Sequence, residues 1–231
     1  MTYREYQERE EKRIAIAVSH LENGVEFVDI HTVYIDEGVT IGAGTLIGPC
    51  VTLEGETSIG RGCKILQNTR IKDSVIADDV EVQNSVITES TVGKGTKIGP
   101  FAYLRPKSHI GENCKVGDFV EVKNSSLGDG SKASHLTYIG DSDVGGDVNI
   151  GCGVVFVNYD GTNKHRSTIG NGVFIGCNTN LVSPVTVEDG AYIAAGSTIT
   201  QDVPEDALAV ARERQRNIEG WAAKKGLYHK K

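Results

Sequence analysis

From Ile35 onward an aliphatic residue opens almost every group of six: IDEGVT, IGAGTL, IGPCVT, LEGETS, IGRGCK and ILQNTR follow one another without a gap. The anchors continue at 71, 76, 82, 87, 92, 98, 104, 110, 116, 122, 127, 133, 139, 144, 150 and 156, and resume at 169, 175, 181, 187, 193 and 199. Every step but the one from Phe156 to Ile169 is five or six residues. Units this short, with β-branched anchors and glycine often second, cannot hold a strand and a helix; each is one flat side of a parallel β-helix, three sides to a coil of about 18 residues. The anchors then point inward as stacked aliphatic ladders, which makes nearly every Ile, Val and Leu here a core residue.

The ends read differently. Residues 4–22 carry charged pairs at three- and four-residue spacing with Ile14, Ile16, Val18 and Leu21, and Asn23-Gly24 stops them, which predicts an N-terminal helix within a lead-in of residues 1–30. The solenoid is expected over 31–204, with a loop insertion at 157–168. After Pro204 the stretch EDALAVARERQRNIEG, residues 205–220, reads as a second helix, and the tail KKGLYHKK is basic and expected to be mobile.

Composition agrees with an all-β solenoid. The chain has 28 glycines against one Met, one Trp and five Phe, the balance of a turn-rich architecture. A net charge of −7 disfavours nucleic-acid or acidic-membrane binding as the main activity, so an anionic ligand is caught by a few placed cations. Five widely spaced cysteines without a CxxC pair indicate neither a zinc site nor a disulfide framework and fit reduced thiols in the cytoplasm. No segment is apolar enough to be an export signal or a membrane span.

Counting anchors in threes locates the candidate chemistry. Arg105 follows Leu104 and Lys123 follows Val122 three anchors later, so the two cations stack one coil apart at ~4.8 Å, an arrangement that an anion such as phosphate relieves. His135, two past Ala133, shares its register with Cys152, Cys177 and Ala195, provided the excursion NYDGTNKHRS loops out without shifting the coils. A histidine heading ~14 Å of small side chains can seat an extended, narrow ligand, a pantetheine arm for example, with its reactive end at the imidazole, and is a candidate general base.

GPFAYLRP, GDFVEVKN, SKASHLTYIGD, VNIGCG, NYDGTNK, FIGCNTNL, IAAGSTIT and ALAVARERQ resemble, in order and spacing, the acetyltransferase half of the bifunctional N-acetylglucosamine-1-phosphate uridyltransferase/glucosamine-1-phosphate acetyltransferase family, over about residues 24–221. The resemblance implies that the β-helix is left-handed and that the protein is a homotrimer with active sites between subunits. It implies transfer of acetyl from acetyl-CoA to the amine of glucosamine 1-phosphate, with no metal required. By position His135 matches the family's proton acceptor, and Arg105, Lys123, Tyr138, Asn149 and Lys164 match its sugar-phosphate ligands. Cys152, Asn158, Tyr159, Cys177, Ala195 and Arg212 match its acetyl-CoA contacts, Cys152 through its backbone N–H as the oxyanion donor rather than as a nucleophile.

Several residues depart from the family pattern. Asp118, one coil above His135, stands where the family more often has Asn; a carboxylate close to the imidazole is expected to favour the imidazolium and weaken the base at neutral pH. The stretch Val154–Phe156 is bulkier than usual, and Ser183-Pro184 replaces a common Ala-Pro. The nucleotide-binding α/β half of the family has no counterpart here, so no uridyltransferase activity is expected. Among alternatives, a hexapeptide acyltransferase for another amino sugar or nucleotide sugar stands first. A zinc-dependent β-helix hydratase needs three His ligands, and His109 and His135 lack a third; an ice-binding solenoid needs threonine arrays that the exposed positions do not form.

Overall fold

The computed structural model describes residues 1–226; the last five residues of the basic tail lie outside the described residues. Short parallel strands stack into three sheets of 11, 10 and 9 strands, hereafter faces one, two and three, each strand pairing with those three places away along the chain except at the last pair of face one, where the two strands are two places apart. The result is a left-handed parallel β-helix with short terminal helices. The usual right-handed crossover preference comes from packing a helix back onto a sheet, and here each connection is only a corner.

Every anchor is buried except Ile41, which is partly covered against the core. A second interior ladder stands two residues before each anchor and is filled by small or β-branched side chains, among them Thr45, Cys63, Ser85, Ser108, Cys114, Ser131, Thr137 and Val154. Their hydroxyls bond to backbone at the corners, as Thr45 does to the Gly60 carbonyl and Ser108 to that of Arg105, which satisfies groups that no strand pairs.

Phe156 is fully buried, in the coil next to the one whose face-one anchor is only Ala133. A large anchor beside a small one holds the interior at close packing. Phe156→Ala is expected to cost about 3–5 kcal/mol, read as a lower denaturant midpoint at unchanged slope.

Both ends correct the expectations drawn from sequence. The helix Tyr3–Glu22 is present and covers the first coil through buried Ala17 and through Arg13, whose Nη1 donates to the Val33 carbonyl at 2.7 Å. The solenoid already begins at Glu26–Phe27, paired with Leu46–Ile47. Residues 205–220 are not helical: Leu208–Ala209 adds a last strand to face one against Tyr192–Ile193, the chain then runs extended, and the C-terminal helix is only Trp221–Lys224. A sheet edge offering unpaired N–H and C=O groups outweighs a modest local preference for helix.

Candidate functional site

Strand pairing places Asp118 directly opposite His135 at the corner between faces one and two. The His135 Nδ1–H donates to Asp118 Oδ1 at 2.6 Å, and the imidazole side chain is 54% exposed. This hydrogen bond holds the Asp118 carboxyl below its usual range, with Lys115 adding a smaller charge effect. Thr137 Oγ1 donates to the His135 carbonyl at 2.8 Å and to that of Gly151 at 3.3 Å, tying the histidine backbone to the coil below.

Cys152, Cys177 and Ala195 continue the same register, since Ala133, Ile150, Ile175 and Ile193 are successive face-one partners. The neighbouring corner position explains why the column opens there. It holds Phe101, Phe119 and Leu136 down to the histidine and then Gly153, Asn178 and Gly196, all with positive φ. Bulky side chains give way to small ones, leaving a shelf. The backbone N–H of Cys152 donates no hydrogen bond among the described residues, as an oxyanion donor requires. At the far end the Arg212 side chain lies against Gly196: a Cβ there would come 3.7 Å from Arg212 Cδ.

The cations gather at the other end of face two. Arg105 and Lys123 stack as counted, Leu104 being opposite Val122, but Arg105 also pairs with Glu121 at 2.8 Å, the surface carboxylate that a count of cations alone overlooks. Lys164 reaches Lys123 from the loop. Contact with Lys164 pushes the Lys123 ammonium below its ordinary value; burial and the charge of Arg105 act the same way and Asp141, at 3.9 Å, opposes them. Three cations gathered with only two carboxylates, Glu121 and Asp141, among them leave an excess of positive charge that an anion relieves. Tyr138 lies in this group: its ring runs along its own strand over Gly140, where a Cβ would sit 2.4 Å from the hydroxyl.

The excursion leaves the coil at Asn158 and rejoins it at Ser167, between the strands Val155–Val157 and Ser167–Ile169. Arg166 clamps its exit through Asp143 and the Asn124 carbonyl. Within it Asp160 is held at a pKa of about 2 by the backbone N–H groups of Asn163 and Thr162 and by His165. Asn158 Nδ2 donates to Asp141 Oδ2, so this predicted acetyl-CoA contact sits with the cationic group and not with the Cys152 column. Tyr159 is exposed, its hydroxyl donating to the Gly161 carbonyl, and Asn149 projects from face one between Lys132 and Phe174. No hydrogen bond or ion pair joins His135 or Asn149 to the cations among the described residues.

Asp141 went unnoticed in the sequence. It is only 7% exposed, accepts from Asn124 Nδ2 at 2.6 Å and from Asn158, and its carboxyl stays low because these bonds and the lysines outweigh the opposing cost of burial. Its signal was the same register: Asn124 and Asp141 each stand two past a face-two anchor. Among the described residues no group of three or more His, Cys, Asp or Glu is placed to hold a metal ion, and no helix is long and apolar enough to cross a membrane.

Two family models match, the GMPPB C-terminal domain over residues 30–105 and the bacterial transferase hexapeptide (six repeats) over residues 89–124 and 166–201. The chain is 59% identical over 212 residues to the bifunctional protein GlmU of Clostridium beijerinckii, covering 92% of this chain and 47% of that protein. The GlmU of Clostridium novyi is 59% identical over 215 residues, 93% of this chain and again 47% of the relative. The chain thus spans about half the length of the curated relatives it matches. Among solved structures, the UDP-N-acetylglucosamine acyltransferase of Arabidopsis aligns with a TM-score of 0.61 at 18% identity, covering 79% of this chain and 70% of that one. That of Francisella novicida aligns with a TM-score of 0.57 at 18% identity, covering 78% and 65%. At such identity these two speak for the fold alone.

Proposed function

The chain belongs to the hexapeptide-repeat transferases as the counterpart of the C-terminal part of GlmU proteins, and we propose that it moves acetyl from acetyl-CoA to the amine of glucosamine 1-phosphate. The observation that carries this reading is the pairing, on one chain, of an open imidazole heading a shelf of small residues with a three-cation group suited to an anion. Arg105, Lys123 and Lys164 take the phosphate, with Tyr138 and Asn149 along the sugar; the column Cys152, Cys177 and Ala195, with Arg212, takes the extended thioester arm. Tyr159, exposed on the loop, is a further acetyl-CoA contact, and Asn158 holds the loop base.

His135 Nε2 takes a proton from the substrate ammonium as the nitrogen lone pair bonds to the thioester carbon. The Cys152 N–H receives the oxyanion. When the carbon–sulfur bond breaks, the His135 imidazolium returns its proton to the departing sulfur and the second proton on nitrogen passes to solvent, which leaves an amide, a thiol and a neutral histidine. No side chain is acylated, so Cys152 and Cys177 need no nucleophilic role.

The histidine and the cations stand on different corners, which supports a homotrimer whose sites are completed between neighbouring copies. Thiol release measured with acetyl-CoA tests the acceptor: glucosamine 1-phosphate is expected to turn over well above a UDP-linked amino sugar, and the reverse order would replace this acceptor by a nucleotide sugar.

A further inference from the structure

We propose that Asp118 is a positioning residue that fixes His135 as its Nδ1–H tautomer and so keeps Nε2 free to accept the substrate proton; this rests on the reading of His135 as the base. A neutral imidazole carries its proton on one nitrogen and a lone pair on the other, and in water it exchanges between the two tautomers. A carboxylate accepts and never donates, so at 2.6 Å from Nδ1 it selects the form whose lone pair is on Nε2. Among the described residues Nε2 has no hydrogen-bond partner.

The contact is built into the backbone rather than left to two mobile surface side chains. The strands Lys115–Asp118 and Lys132–His135 run four residues, where most in this solenoid run two or three, and the extra length carries the ladder into the corner as far as the pair. Leu136 N–H donates to the Asp118 carbonyl at 2.9 Å. Gly117 permits the approach: a Cβ at that position would sit 2.0 Å from the Ser134 carbonyl oxygen and push the coils apart beside the pair. An ordinary exposed ion pair has no such support and contributes little.

During transfer the Nδ1 proton stays between His135 and Asp118. The proton that moves enters and leaves at Nε2. This revises the expectation that a carboxylate here weakens the base, and the two effects separate by substitution: Asp118→Asn removes the charge and keeps an acceptor oxygen, while Asp118→Leu removes both.

The experiment is 15N NMR of histidine-labelled protein together with kcat and KM for each variant. Wild type and Asp118→Asn are expected to show a protonated Nδ1 and an unprotonated Nε2 at His135 in the neutral form. Asp118→Leu is expected to show mixed tautomers and a kcat lower by about 10- to 100-fold, a part of what a general base supplies, at unchanged KM. Wild-type shifts or wild-type kcat in the Leu variant would overturn the proposal, as would an Asn variant as slow as Leu or faster than wild type at neutral pH. Full transfer by His135→Ala would instead overturn the reading of the base and leave the tautomer result standing.

Discussion

His135→Ala is expected to lower kcat for acetyl transfer by about 10²–10⁴-fold while KM for acetyl-CoA stays close to wild type. The size follows from the chemistry: an ammonium has no lone pair, so without a base at the site only the small deprotonated fraction of the acceptor reacts at neutral pH. The loss should shrink as pH rises, because solvent then does part of the work. The side chain is 54% exposed and fills no core space, so the variant should fold and keep its melting temperature. In the proposed reading the thioester arm rests on the column from Cys152 to Ala195, away from the substituted side chain, which is why KM should not change. Thiol release on both proteins across pH is the measurement, and equal rates would remove His135 from the mechanism.

The fold was open to reading because it is written at one period. Anchors counted from Ile35 fall into the three sheets without a slip, and the count survives the excursion because Ile169 pairs with Val144, as Val144 does with Leu127. The same count set Arg105 against Lys123 and His135 between Asp118 and Cys152. It could not show which way the side chains at the corners turn. Asp118 is the instructive residue: its position was legible and its partner was anticipated, but which imidazole nitrogen it meets depends on the corner backbone. Residues 205–220 failed for another reason. ALAVARERQ suits a helix locally, and only the open edge of the last coil, a property of the whole solenoid, draws Leu208–Ala209 into a strand.

Phe119→Asp is expected to break the assembly into single chains and abolish transfer without unfolding them. Phe101 and Phe119 stack at 5.6 Å between ring centroids, and with Leu136 they form an apolar ridge along the corner that carries His135. Phe119 is 58% exposed and has φ of 56°, a left-handed conformation that costs a bulky L-residue about 1–2 kcal/mol. A single chain thus bears both backbone strain and exposed apolar surface at three successive coils. In the proposed homotrimer a second copy covering the ridge would recover about 1.5–3 kcal/mol per buried ring, and the same copy would bring its own groups against the histidine. An ionised Asp gives up that burial and adds the cost of desolvating a charge in an apolar contact. Asp also tolerates the left-handed region better than Phe, so the isolated chain should lose nothing in stability. Light scattering should therefore report the mass of one chain, with thermal unfolding still cooperative and thiol release gone. A variant that keeps wild-type mass would move the interface off this corner, and a fully active single chain would show that one copy holds a whole site.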